Sequence, residues 1–96
     1  MSAGLMAVLA RAIRERRVVA FLYKGGERTV EPQCLGIGTR GTSLLRGYQT
    51  AGGDVGEPLF DVAQMRGLEI LERTFDGPGP NYKRDDSAMV RIIEQL

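Results

Sequence analysis

Apolar residues recur at helical spacing at the start of the chain, then give way to short runs punctuated by glycine. Leu5, Leu9 and Ile13, with Met6 and Ala10 beside them, make one stripe, while Arg11, Arg14 and Glu15 fall largely elsewhere on the wheel. This spacing predicts a helix over about residues 3–15, with Ser2 as its N-cap. Val18 to Tyr23 is β-branched and aromatic, too short for a helix, and is closed by Lys24-Gly25-Gly26-Glu27. It reads as a strand entering a hairpin turn.

The next run, Arg28 to about Ile37, is a second strand, in which Pro32 must sit at an edge or a bulge because it has no N–H to donate. A turn at Gly38–Gly41 leads into a third strand, Thr42 to Gln49, and a Gly-rich stretch at 51–57 reads as a mobile loop. Pro58 to Val62 and Met65 to about Thr74 supply two more strands. After the stiff Asp76–Asn81 connection, Met89, Ile92, Ile93 and Leu96 form a helical stripe, with Asp85 or Asp86 as cap.

The expected order is therefore helix, five short strands, helix, in one domain spanning 1–96. The fold class is mainly β with flanking helices: a small five-stranded antiparallel barrel over about 17–75, between a helix at about 3–15 and another at about 85–96. Brief turns favour a meander, and strands this short are expected to close up to hide their edges.

Ninety-six residues, 43% apolar and 26% charged, suit one globular core and exclude wholesale disorder. No apolar stretch approaches the roughly 20 residues that cross a bilayer. The N-terminus is not read as a signal peptide, because its positive charges follow the apolar stretch. One cysteine, Cys34, cannot form an internal disulfide, so a reducing cytoplasm is expected and no membrane partner is. Net charge is +1, but residues 1–50 carry eight Lys/Arg against three acids and residues 51–96 carry five against nine. Such asymmetry marks either a basic binding face or two halves that attract each other.

The usual catalytic sets are missing. Without histidine there is no Ser-His-Asp or Cys-His arrangement and no His-based metal site, and the glycines match no phosphate or dinucleotide fingerprint. No enzyme activity, metal or cofactor is expected, and Cys34 reads as a small buried hydrophobe. What remains is a set of arginines with one tyrosine. Arg17, with Arg11, Arg14 and Arg16, ends the first helix as a solvated face or a phosphate-contacting surface. Arg28, Arg46 and Tyr48 lie on predicted strands, where a guanidinium beside an aromatic suits a nucleotide by charge and stacking. Phe21, Tyr23 and Phe60 are assigned to the core.

"VVAFLYKGGERTVEPQCLGI", "GTSLLRGYQT", "PLFDVAQMRGLEIL" and "RTF" together resemble the WYL domain over about residues 10–76. The most specific segment is "FLYKGGERTVEP": an aromatic before a short hairpin, an arginine just past the turn, then a proline. The resemblance implies an Sm-like, SH3-type barrel that senses nucleic acids or nucleotides in bacterial transcriptional regulators, usually beside a helix-turn-helix. It places a binding position on Arg28. The family's Trp-Tyr-Leu triplet falls on Ser43-Leu44-Leu45, its Arg-x-Phe on Pro58-Leu59-Phe60, and a further basic position on Gln64. Arg46 and Tyr48 stand further along the same strand as that triplet and could compensate.

The expected function is therefore that of a non-enzymatic, stand-alone and divergent ligand-sensing domain. Its expected ligand is single-stranded nucleic acid or a nucleotide-like anion, held by a convergent set of Arg28, Arg46, Tyr48, Arg66 and Arg17, with a transcriptional regulator as partner. The alternative is a protein-interaction or oligomerisation module with a degenerate pocket, using a sheet edge or the apolar side of the last helix. A homo-oligomer fits either reading.

Overall fold

The β1–β2 hairpin organises the molecule. In the computed structural model, which describes residues 2–52 and 55–96, β1 (Arg17–Tyr23) and β2 (Gly26–Gly38) are joined by the two-residue turn Lys24-Gly25. Both turn residues have positive φ, 50° and 80°. That is the signature of the hairpin turn whose twist matches the flanking strands, and it explains a glycine at the second position.

β2 is thirteen residues long and serves three neighbours. Its first part, Gly26 to Val30, pairs with β1, and its last part, Cys34 to Gly38, pairs with β6 (Met89–Gln95). Its opposite edge pairs with β3 (Ser43–Ala51), with a register shift between Pro32 and Cys34. Pro32 thus lies at a bulge, where a residue without an N–H does least harm. β3 pairs in turn with β4 (Leu59–Asp61), and β1 with β5 (Arg66–Thr74).

The order is β4-β3-β2-β1-β5, with β6 beside β2. Two expectations are corrected here. There are six strands among the described residues instead of five, and the sheet stays open because the end strands β4 and β5 are not paired with each other. The one α-helix among those residues is α1 (Ser2–Glu15), with a short 3₁₀ turn at Val62–Gln64. α1 begins at the residue expected to cap it, but the Ser2 side chain lies outside the described part of the structure.

The largest correction is at the C-terminus, where residues 85–96 form no helix. Met89–Gln95 is a strand that covers the open edge of β2. The stripe Met89, Ile92, Ile93, Leu96 mimics a helical face because two bulges break the alternation of β6. Leu35 pairs with Glu94 and Gly36 with Ile92, so Ile93 is skipped; Ile37 pairs with Arg91 and Gly38 with Met89, so Val90 is skipped. Covering five residues of unpaired β2 backbone outweighs a short isolated helix rich in β-branched residues. The caps expected of Asp85 and Asp86 go with it: Asp85 adopts φ 57°, and Asp86 is taken up by an ion pair.

α1 lies across the sheet and closes the core. Leu9, Ala12, Ile13, Val19, Val30, Leu35 and Leu45 are at most 1% exposed. Phe21, Tyr23 and Phe60 join them as an edge-to-face aromatic triad with centroids 5.0–6.1 Å apart. α1 stops where Arg16 turns to φ 53°, and the Arg16 carbonyl accepts from Phe75 N–H. No helix among the described residues is long and apolar enough to cross a membrane.

Candidate functional site

Two concavities meet at Glu57, in the segment before β4. They differ in how completely their polar groups are satisfied.

The first is a recess of about 230 Å³ between β3 and the 76–88 segment. At its floor Arg46, on β3, donates from Nε to Asp86 Oδ2 (2.8 Å) and from Nη2 to Oδ1 (3.4 Å). Its Nη1 donates to the Glu57 carbonyl at 3.0 Å. The Asp86 carboxylate, 10% exposed, also accepts from Ala88 N–H. The Arg46 hydrogen bond, aided by the Ala88 N–H, holds the Asp86 carboxyl below its ordinary range against the opposing effect of burial.

Beside this pair, the fully buried Gln33 donates to Glu57 Oε1 at 3.0 Å and accepts from Gly79 N–H, while Glu57 Oε2 accepts from Asn81 N–H at 2.7 Å. Each charge in this network has a partner, so the arrangement fastens the 76–88 segment, and β6 after it, onto the sheet. Cys34 lies beneath, 3.5 Å from the Met89 sulfur and fully buried. Desolvation, with the nearby Asp86 charge, pushes its thiol up to about 11.

The second concavity is an open cleft of about 510 Å³ where the β1–β2 hairpin meets the segment before β4. Arg28 stands just past the hairpin turn and Lys24 within it; Val55, Pro58 and Leu59 also line the cleft. Arg28 donates from Nη1 to the Gly52 carbonyl (3.0 Å) and from Nη2 to the Tyr23 carbonyl (3.3 Å). Both acceptors are neutral, and no carboxylate of the described residues pairs with Arg28 or Lys24. Arg28 Nε is buried and is the one buried side-chain N or O atom without a hydrogen-bond partner among those residues. A donor in that condition costs about 1–3 kcal/mol.

The other expected site residues do not gather around Arg28. Arg46 is on the floor of the satisfied recess. Tyr48, on the same strand, is half-buried beneath Gly79. Arg66 folds back on the chain and donates to the Ala63 and Met65 carbonyls, both at 3.1 Å. Arg17 donates to the Leu71 carbonyl at 2.7 Å and pairs with Glu15 at 3.3 Å. The rest of the basic cluster is also engaged: Arg11 with Glu15, Arg14 with Glu94, and Arg16 with the Asp76 carbonyl. Part of the loop expected to be mobile, residues 53–54, lies outside the described residues.

Lys24, Gln33 and Glu57 were not singled out from the sequence. Gln33 carried a signal, a lone amide between Pro32 and the apolar run from Cys34 to Ile37. Lys24 and Glu57 look like any charged residue in a turn and acquire roles only through the fold.

Among known proteins, nothing matches this chain: no family, no curated protein and no solved structure is similar to it.

Proposed function

We propose that this chain is a non-enzymatic, ligand-sensing domain of WYL type that binds a small anion at the Arg28–Lys24 cleft and reports to a transcriptional regulator. The observation that carries the reading is Arg28 itself: a guanidinium lining an open cleft, bonded only to neutral carbonyls, with one buried donor left over among the described residues. Arg28 is also the position on which the WYL resemblance places a binding role. Its partners in the expected set are bonded elsewhere, so the reading narrows from an extended oligonucleotide surface to a ligand that one cleft can hold.

The test is an amide-resolved NMR titration with anions of two kinds, phosphates from nucleoside monophosphates to short single-stranded DNA and RNA, and carboxylates, each at two salt concentrations. The expected result is salt-sensitive binding by at least one kind, with shifts confined to residues 23–28 and 55–60 and lost in Arg28→Ala. No perturbation by any anion at low salt overturns the proposal.

A second reading, self-association through β6, is favoured by one observation. Val90 and Ile93 are 68% and 42% exposed on a strand that pairs only with β2. Both are the skipped residues at the bulges of that strand, a feature that discourages edge-to-edge pairing. Sedimentation of Val90→Lys beside the wild type distinguishes the readings, since loss of a dimer would point to the edge.

A further inference from the structure

The lining of the Arg28 cleft carries information about the body of the ligand as well as its charge. We propose that the cleft takes an aliphatic carboxylate: the headgroup against Arg28 and Lys24, the alkyl chain against Val55, Pro58 and Leu59. The inference rests on the cleft being the ligand site and adds the class of ligand.

Stacking a base requires an aromatic face open to the cleft. The two aromatic residues in the lining do not offer one. Tyr23 and Phe60 are 8% and 3% exposed, and they are committed to each other, centroids 5.0 Å apart and planes at 90°, and to Phe21 behind them. The Tyr23 hydroxyl accepts from Asp61 N–H at 2.9 Å, which pins the ring further, and the Lys24 ammonium lies 5.5 Å from its centroid. What the cleft does offer is aliphatic. Val55 is 69% exposed, and Pro58 and Leu59 are half-buried. An exposed branched side chain lining the same cleft as two cations makes that cleft amphipathic, suited to a molecule with an anionic end and an apolar body.

The charges agree with this. Arg28 and Lys24 are the cations, and Glu57 is the one acid among the described lining residues. Glu57 keeps its charge, but both of its oxygens already accept hydrogen bonds, one from the Gln33 amide and the other from Asn81 N–H, and the two cations outnumber it. A planar guanidinium matches the two oxygens of a carboxylate, and a neighbouring ammonium adds attraction without demanding a geometry.

The experiment compares hexanoate, octanoate, 1-octanol and adenosine monophosphate by NMR titration of the wild type, Arg28→Gln, Lys24→Gln and Val55→Ser. Octanoate is expected to bind about five- to fifteenfold more tightly than hexanoate, as two further buried methylenes require, and more tightly than the nucleotide. Arg28→Gln should weaken octanoate at least about tenfold and Lys24→Gln by a smaller factor, the latter serving should Arg28→Gln not fold. Val55→Ser should flatten the dependence on chain length. Octanol binding as well as octanoate would remove the headgroup assignment. Tighter binding of the nucleotide would overturn the carboxylate inference and leave the cleft as an anion site, whereas silence from every anion would overturn both.

Discussion

The Arg46 recess and the Arg28 cleft each hold a strand-borne arginine and share Glu57 in their lining, and they use the arginine in opposite ways. In the recess the arginine has a carboxylate, Arg46 with Asp86, and Glu57 accepts from Gln33 and Asn81. The result is a fastening that holds the 76–88 segment to the sheet. In the cleft the guanidinium has only two carbonyls, with a buried donor unpaired among the described residues. An arginine in a sheet therefore says little by itself. The carboxylate that the fold delivers to it, or withholds, decides whether it stabilises the protein or stays available to a ligand.

The comparison breaks first at β6, which the recess holds in place. A Cβ at Gly36 would overlap the Arg91 carbonyl oxygen and the Met89 sulfur. Gly36→Ala should therefore force β6 from β2 and cost about 1–3 kcal/mol or more by urea denaturation. A stability unchanged from wild type would mean that β6 does not lie where it is described.

Next in size is Arg46→Ala, which strands Asp86 with its carboxylate 10% exposed. Because the arginine itself is 30% exposed, we expect about 2 kcal/mol, below the cost of breaking a fully buried pair. A double-mutant cycle with Asp86→Ala should recover part of that loss, since removing both partners leaves no orphaned charge.

The same pair has a pH signature. Asp86 is held below its unfolded value by Arg46 and the Ala88 N–H, so its contribution is fully present above the ordinary carboxylate range. It is lost as pH falls through the lowered folded-state value. Arg46→Ala should flatten the loss of stability as pH falls below the ordinary aspartate range, relative to wild type; parallel acid-unfolding curves would show that the pair contributes nothing.

The smallest effect is expected at Arg28. Arg28→Ala removes two carbonyl bonds and an unsatisfied donor together, so its stability should stay within about 1 kcal/mol of wild type. Its effect should appear in anion binding instead. A loss as large as that of Arg46→Ala would erase the distinction between the two regions.

Local signals were legible where the chain acts alone. The helix over 3–15 follows from its apolar spacing, the first hairpin from the Lys24-Gly25-Gly26-Glu27 turn, of which Gly26 and Glu27 already belong to β2, and the bulge at Pro32 from a missing donor. The burial of Cys34 and of the three aromatics was equally readable from residue type. The C-terminal segment was misread because two bulges give seven residues of strand the apolar spacing of a helix. The count of five strands failed for the same reason.

What the sequence by itself determined is the mainly β antiparallel character, the α-helix at the front, the core and the position of Arg28 just past a tight turn. These depend on neighbours within a few residues, where periodicity and turn chemistry act directly. Tertiary structure alone decided that residues 89–95 complete the sheet, that the sheet stays open, and that Arg46 meets Asp86 forty positions away while Arg28 meets only backbone. Those outcomes turn on which unpaired backbone edge and which buried charge find partners first, and partners that distant leave no trace in local spacing.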